Sequence, residues 1–354
     1  MGLLDDTIGR IVPVDETSRQ RAKDRLDQLT MPHWALGRLM DLALELAAMT
    51  GSTSPVVDRR VVAVMAGDHG VVGEGVSKYP QEVTVQMIHN FIQGGAGINA
   101  VSRVSGAEVV VVDMGVASDL GPLPQGARFI AKRVAPGARN MAVGPAMSRE
   151  EAVKSVEAGI AVALDLEPNF DLFGTGDMGI GNTTPSSAII AVITGQPPEK
   201  VTGRGTGIDE EQFRHKVTVI EKALRINAPD PADALDVLAK VGGFEIGGIA
   251  GFILGVASKR KPVVIDGVIS AAGALIAHGI CPDAANYMIA AHRSVEQGHI
   301  VALQHMNKRP LLDLDLRLGE GTGAALAMTL VEAAVRIMTE VATFEEASVS
   351  TADK

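Results

Sequence analysis

Four short β-branched runs, each closed by an aspartate close to a glycine, set the strongest limit on how this chain folds. Val61–Met65 leads into Gly67-Asp68-His69-Gly70, and Glu108–Val112 into Asp113-Met114-Gly115. Phe170–Phe173 leads into Gly174-Thr175-Gly176-Asp177-Met178-Gly179, and Pro262–Ile265 into Asp266-Gly267. Between them lie stretches of helical periodicity over 81–102, 149–164, 209–226 and 244–258. Buried strands alternating with helices specify an α/β chain with a mostly parallel sheet. In such sheets ligands bind beyond the carboxyl ends of the strands, so Asp68, Asp113, Asp177 and Asp266 are expected along one edge. Aspartate and glycine are also ordinary turn formers, a reading that competes for each aspartate taken singly.

The chain ends read as helical. Residues 17–29 are polar and amphipathic, Pro32 is placed to open a second helix, and Gly51 is placed to close it. From Ala324 to Glu340 the pattern is again an amphipathic helix, and the residues after it read as frayed and solvated. Helices at both ends are expected to pack together as a small second layer. The stretch after residue 243 carries Gly243, Gly247, Gly251 and Gly255 at intervals of four, a bare ridge that lets another helix approach closely. Glu245, a lone acid in that apolar stretch, requires a partner.

Charge and composition exclude several classes. The chain has 354 residues, with 32 Lys plus Arg against 42 Asp plus Glu, for a net charge of −10. That excess of acid, with no basic run, argues against nucleic acid. A single cysteine, Cys281, rules out an internal disulfide and fits a cytoplasmic protein. The start MGLLDDTIGR lacks the basic and apolar regions of a signal peptide, and Asp6 stands where a myristoylation signal needs Ser or Thr. The apolar run Gly267–Ala277 is shorter than the roughly 20 residues a bilayer requires, so no membrane partner is expected. With 39 glycines and only 8 Phe, 2 Tyr and 1 Trp, the core is aliphatic and the chain rich in close backbone approaches.

Three glycine-rich segments carry the chemistry. Gly174–Thr184 stands at a strand-to-helix transition, where exposed N–H groups suit an anion. It is neither the dinucleotide fingerprint nor a P-loop. Thr202-Gly-Arg-Gly-Thr-Gly-Ile208, followed by Lys216, places cationic side chains beside loop N–H groups, as a phosphate needs. Leu318-Gly-Glu-Gly-Thr-Gly323 presents Glu320 between glycines, either as a charge at a helix terminus or as a base of raised pKa. Metal ligation is weakly signalled: His69, His292, His299 and His305 follow no tight ligand spacing. The strand-end aspartates leave open a Mg²⁺-dependent phosphotransferase or phosphatase. A cofactor-binding oxidoreductase and a nucleotide sensor without activity are further readings.

Taken together, the segments resemble one family. They are Ala66-Gly-Asp-His-Gly-Val-Val, Tyr79-Pro-Gln-Glu-Val-Thr-Val-Gln-Met, Gly176-Asp-Met-Gly-Ile-Gly-Asn-Thr-Thr, Gly203-Arg-Gly-Thr-Gly, Val264-Ile-Asp-Gly and Leu316-Arg-Leu-Gly-Glu-Gly-Thr-Gly-Ala. They match, in order from about residue 10 to 340, the nicotinate-nucleotide–dimethylbenzimidazole phosphoribosyltransferases of cobalamin lower-ligand assembly. The resemblance implies transfer of phosphoribose from nicotinate mononucleotide to 5,6-dimethylbenzimidazole by a homodimer. No cofactor or metal is expected, because such a donor carries a monophosphate and a cationic leaving group. It implies a Rossmann-like domain over 56–309. A small helical domain would be built from 1–55 and 310–354, with the glutamate loop in the latter. Glu320 matches the family's general base. Tyr79, Gln86, Met178 and Leu318 match its azole pocket. Gly179, Gly205, Gly267, Lys216 and Ser294 match its phosphate site, with Asp177, Asn182, Thr183 and Gly203 close by. Some members carry Glu where this chain has Asp177, and the shorter acid alters any contact made there.

Overall fold

The computed structural model describes residues 2–205, 207 and 209–350; Met1, Thr206, Ile208 and 351–354 lie outside that description. Helices α1 (Leu3–Ile8), α2 (Glu16–Leu26) and α3 (Arg38–Thr50) precede strand β1 (Arg60–Gly67). Next come α4 (Val83–Gln93), α5 (Gly97–Ser105), β2 (Ala107–Gly115), β3 (Phe129–Ala131), α6 (Arg149–Leu166) and β4 (Leu172–Met178). Helices α7 (Thr183–Thr194), α8 (Pro198–Val201), α9 (Glu210–Asn227), α10 (Ala234–Val241) and α11 (Phe244–Ala257) lead to β5 (Val263–Ile265). They are followed by α12 (Val268–Ile280), β6 (Met288–Ala290), α13 (Gln297–His305) and α14 (Thr322–Glu340).

The strands form one parallel sheet in the order β3-β2-β1-β4-β5-β6. This is the doubly wound arrangement, and its direction reverses between β1 and β4. Every residue of β1 is buried, as a strand covered on both faces requires. One face is covered by α11, itself buried along its whole length. Its bare ridge admits α6: a Cβ on Gly251 would lie 1.8 Å from the Val156 carbonyl oxygen, and one on Gly247 2.0 Å from Ser155 Oγ. The glycine spacing therefore serves helix packing.

At the chain ends α2, α3 and α14 pack together. Gly51 closes α3 with φ +67°, as its position in the sequence suggested. Pro32 does not open that helix, which starts at Arg38 after a series of turns. The tail is less free than its composition suggests: Phe344 N–H bonds Gln28 O at 2.9 Å, and Arg25 pairs with Glu346. Helix α14 alone among the described residues has the length and apolarity to cross a membrane, but its buried face packs on α3, α5 and β4.

Three further boundaries differ from the sequence reading. The strand expected over Phe170–Phe173 begins at Leu172 and runs through Met178, so Gly174 and Gly176 are strand residues, not turn residues. The periodic stretch 81–102 is broken at Gly94, which takes φ +80°, and at Gly95, leaving a second helix, α5, with its own N-terminus. Strands β3 and β6, three residues each, were too short to leave a period in the sequence.

Candidate active site

Glu320 is held at the carboxyl end of the sheet by backbone contacts from three directions. Its carbonyl oxygen presses on β4, where a Cβ on Gly176 would lie 2.4 Å from it. Its carboxylate Oε2 accepts the N–H of Ile98 at 3.0 Å, in the first turn of α5. The break at Gly94 and Gly95 thus creates the helix terminus that receives this charge. The next residue, Gly321, donates its N–H to Asp266 Oδ2 at 3.1 Å. Glu320 itself adopts φ +63°, a left-handed conformation that costs a side-chain-bearing residue about 1–2 kcal/mol. The residue is 7% exposed. Burial pushes its carboxyl above the ordinary glutamate range, the α5 N–H groups oppose that, and the Asp266 charge adds to it.

Of the four strand-end aspartates, two serve turns and two face Glu320. Asp113 accepts Val116 N–H and Arg133 Nε, each at 2.9 Å, and Asp68 accepts Ala117 N–H at 2.8 Å. Asp177 and Asp266 are buried beside one another. Asp177 Oδ2 accepts Asn182 Nδ2 at 3.0 Å, while Oδ1 has no hydrogen-bond partner among the described residues. That Oδ1 faces Gly319, where a Cβ would lie 3.2 Å away. Glu245 finds its partner in His69, Nε2 to Oε1 at 2.8 Å, both buried beneath the end of β1. Gly179 packs over them: a Cβ there would lie 2.1 Å from Gly67 O and 3.4 Å from His69 Nε2.

The cationic side of the site lies next to the start of α7. Lys216 Nζ, on α9, donates to Thr183 Oγ1 at 2.6 Å. Desolvation lowers the Lys216 ammonium to about 8, while Glu296 opposes the shift. Gly205 N–H donates to Glu296 Oε1 at 3.1 Å, and Gly203 is so close to Glu296 that any side chain there would collide with its carboxylate. Gly203, Gly205 and Glu296, with Arg204, Phe213 and Arg317, line a cleft of about 460 Å³. Ser294 Oγ donates to Leu316 O at 3.1 Å, so its hydroxyl steadies the strap leading to Leu318 and Glu320. Gly267 caps α12, with His292 Nε2 3.9 Å from where its Cβ would be. The sequence-selected Lys216, Thr183, Asn182, Asp177 and Glu320 therefore form one continuous path; Thr206 and Ile208 of the glycine loop lie outside the described residues.

A phosphoribosyltransferase family model matches residues 11–349. The nicotinate-nucleotide–dimethylbenzimidazole phosphoribosyltransferase of Syntrophotalea carbinolica is 62% identical over 99% of both chains. Its counterpart from Desulfotalea psychrophila is 56% identical over 100% of both. A crystal structure of the Thermus thermophilus enzyme of that name superposes with a TM-score of 0.90 at 45% identity, covering 96% of this chain and 100% of that one. The chain belongs to the nicotinate-nucleotide–dimethylbenzimidazole phosphoribosyltransferase family.

Membership in this phosphoribosyltransferase family leaves the Mg²⁺-dependent phosphotransferase or phosphatase and the oxidoreductase readings without support. Among the described residues no three His, Cys, Asp or Glu side chains are arranged to hold a metal ion. Tyr79 and Leu318 are 50% and 60% exposed and Gln86 is exposed, whereas Met178 is half-buried. Leu318 reaches α5, its Cδ2 2.7 Å from a Cβ built on Gly97. Glu296 was not singled out in the sequence, where nothing distinguishes Ser-Val-Glu-Gln from a surface turn. The His69–Glu245 pair was half visible, as an acid in search of a partner.

The buried acids make stability depend on pH with an unusual sign. Burial, then the Asp266 charge, holds the Asp177 carboxyl well above its ordinary range. Unfolded aspartate ionises near about 3.9. Between that value and the raised folded one, the folded chain keeps a proton that the unfolded chain releases, so this group's contribution falls as pH rises. D177N, which retains an acceptor for Asn182, is expected to melt higher than the wild type at about pH 8 and alike at about pH 4. Thermal melts at the two pH values check this; a variant that is less stable at both contradicts the assigned charge state.

Proposed function

We propose that this chain transfers the 5-phosphoribosyl group of nicotinate mononucleotide to 5,6-dimethylbenzimidazole, giving α-ribazole 5′-phosphate and nicotinate with inversion at the sugar carbon. The observation that carries the reading is Glu320: a buried carboxylate of raised proton affinity, fixed at the sheet edge and joined to Lys216 through Asp177, Asn182 and Thr183. One azole nitrogen attacks the anomeric carbon as the bond to nicotinate breaks. The bonding pair returns to the pyridinium nitrogen, which leaves neutral and needs no acid. The proton on the other azole nitrogen passes to Glu320. Holding both substrates in one crevice supplies the proximity.

Asp177, Asn182 and Thr183 bridge the two halves of the site and contact the nucleotide. Gly179, Gly203, Gly205, Gly267, Lys216 and Ser294 receive the phosphate. Tyr79, Gln86, Met178 and Leu318 flank the azole, for which exposed apolar side chains offer a ring-sized contact. The working unit is a homodimer in the cytoplasm, with the small helical domain drawn from 1–55 and 310–354 around a catalytic domain over 56–309. The packing of α2, α3 and α14 supports that division, and the buried free thiol of Cys281 accords with that compartment.

Incubating the protein with both substrates and finding α-ribazole 5′-phosphate by mass spectrometry tests the reaction; its absence with a folded protein rejects it. The donor site has a separate test. Hydrogen bonds to charged groups are worth about 1.5–3 kcal/mol, so K216A is expected to raise the KM for nicotinate mononucleotide about 10- to 100-fold. The azole KM should move less. In the wild type, donor kcat/KM should decline as pH rises through about 8, where the Lys216 ammonium loses its charge. Equal changes in both KM values would count against the phosphate assignment.

A further inference from the structure

We propose that Asp266 is a positioning residue for phosphoribosyl transfer: it clamps the backbone that carries Glu320 and sets the electrostatic surroundings of that carboxylate. The inference rests on Glu320 being the base. Asp266 is fixed first by the sheet, for it follows β5 and its N–H bonds Thr175 Oγ1 of β4 at 3.2 Å. Its carboxylate then takes two N–H groups at the start of α14, Oδ2 from Gly321 at 3.1 Å and Oδ1 from Ala324 at 3.0 Å. A carboxylate at a helix N-terminus satisfies donors that have no partner within the helix. The acceptor here comes from another element, 55 and 58 residues away in sequence, so it ties the helix start to the sheet edge.

Glu320 immediately precedes the clamped Gly321, both residues take left-handed φ, and the Glu320 carboxylate accepts the Ile98 N–H of α5. The fit around Asp266 is tight. His292 lies on its other side, Nε2 to Oδ1 at 3.7 Å, and a Cβ on Gly323 would come 2.0 Å from the His292 ring. The titratable groups around Glu320 are Asp266 after β5 and Asp177 on β4, with His292 and Glu245 one step beyond them. Helix α5 faces Glu320 with N–H groups. Asp266 is thus the acid that both touches the backbone of the Glu320 segment and acts on its carboxyl through space.

D266N tests both parts. The amide keeps the size of the side chain but accepts through its oxygen alone, so one backbone bond is lost with the charge. The maximal rate should fall about 10²-fold, the usual cost of displacing a catalytic group by about 1 Å, with little change in donor KM. The acid limb of the rate profile, identified as the limb that E320Q abolishes, should move to lower pH. In an E320Q background the same substitution should cost little further, because the group it acts through is gone. An equal loss in both backgrounds, or an unmoved acid limb, overturns the inference. Near-normal turnover by E320Q itself would instead remove the base, a separate result. Should D266N not fold, the wild-type limb decides: a position at or below the roughly 4.3 of an ordinary glutamate overturns the inference.

Discussion

E320Q is expected to lower the maximal rate about 10²- to 10⁴-fold, the usual worth of a general base, while donor KM stays near its wild-type value. The amide preserves the size of the side chain, and its oxygen can still accept the Ile98 N–H. What it cannot do is take the azole proton. The wild-type rate should fall on the acid side as Glu320 protonates, at a pH above the ordinary glutamate range because burial and the Asp266 charge both favour the neutral acid. The residual activity of E320Q should lack that limb. Folding should be unharmed, since replacing a desolvated carboxylate by an amide removes a charge that burial disfavours. A near-normal rate for E320Q would leave Glu320 as no more than the charge partner of α5.

The strand-end aspartates show how far periodicity carries and where it stops. Alternation of apolar runs and helical stretches specifies the parallel sheet, and Asp177 and Asp266 do stand together at its carboxyl edge. Nothing local separates them from Asp68 and Asp113, which accept the N–H groups of Ala117 and Val116 in the turn after β2. The difference lies in which strands the glutamate loop crosses, β4 and β5, a property of topology. Lys216 could be chosen because it follows a glycine loop, but its burial against Thr183 depends on α9 crossing the start of α7. Glu296 escaped notice for the same reason: its partner, Gly205, is 91 residues away.

Helix breaks were the harder feature. Over 81–102 the apolar spacing continues through Gly94 and Gly95, so a single helix satisfied the pattern. Two adjacent glycines cost about 1 kcal/mol each in a helix interior, and left-handed φ at Gly94 ends α4 there. The consequence is chemical: without the break, Ile98 N–H would be bonded within a helix and unable to receive Glu320. Likewise Pro32 is compatible with a first helical turn, but Trp34 and Gly37 both take positive φ and postpone α3 to Arg38.

G176A is expected to be nearly as damaging as loss of the base, although alanine adds only one methyl group. Within β4, Gly174 and Gly176 point to the same face. Over that face lies the start of α14, with Ala324 and Met328 against Gly174 and the Glu320 backbone against Gly176. A Cβ on Gly176 would sit 2.4 Å from Glu320 O and 2.9 Å from its carbonyl carbon. These are backbone atoms, so no side-chain rotation relieves the clash. Strand β4 cannot yield either, because Gly176 pairs with Val64 of β1 in the buried centre of the sheet. The loop must lift, which withdraws Glu320 from Ile98 and strains the Gly321 bond to Asp266. Overpacking of this kind costs about 1–3 kcal/mol of stability. A displacement of about 1 Å in the base costs about 10²-fold in rate. G144A is the matched control, since a Cβ there meets nothing within 4 Å. Wild-type kcat in G176A, with a folded protein, would show that Glu320 does not depend on its seat against β4.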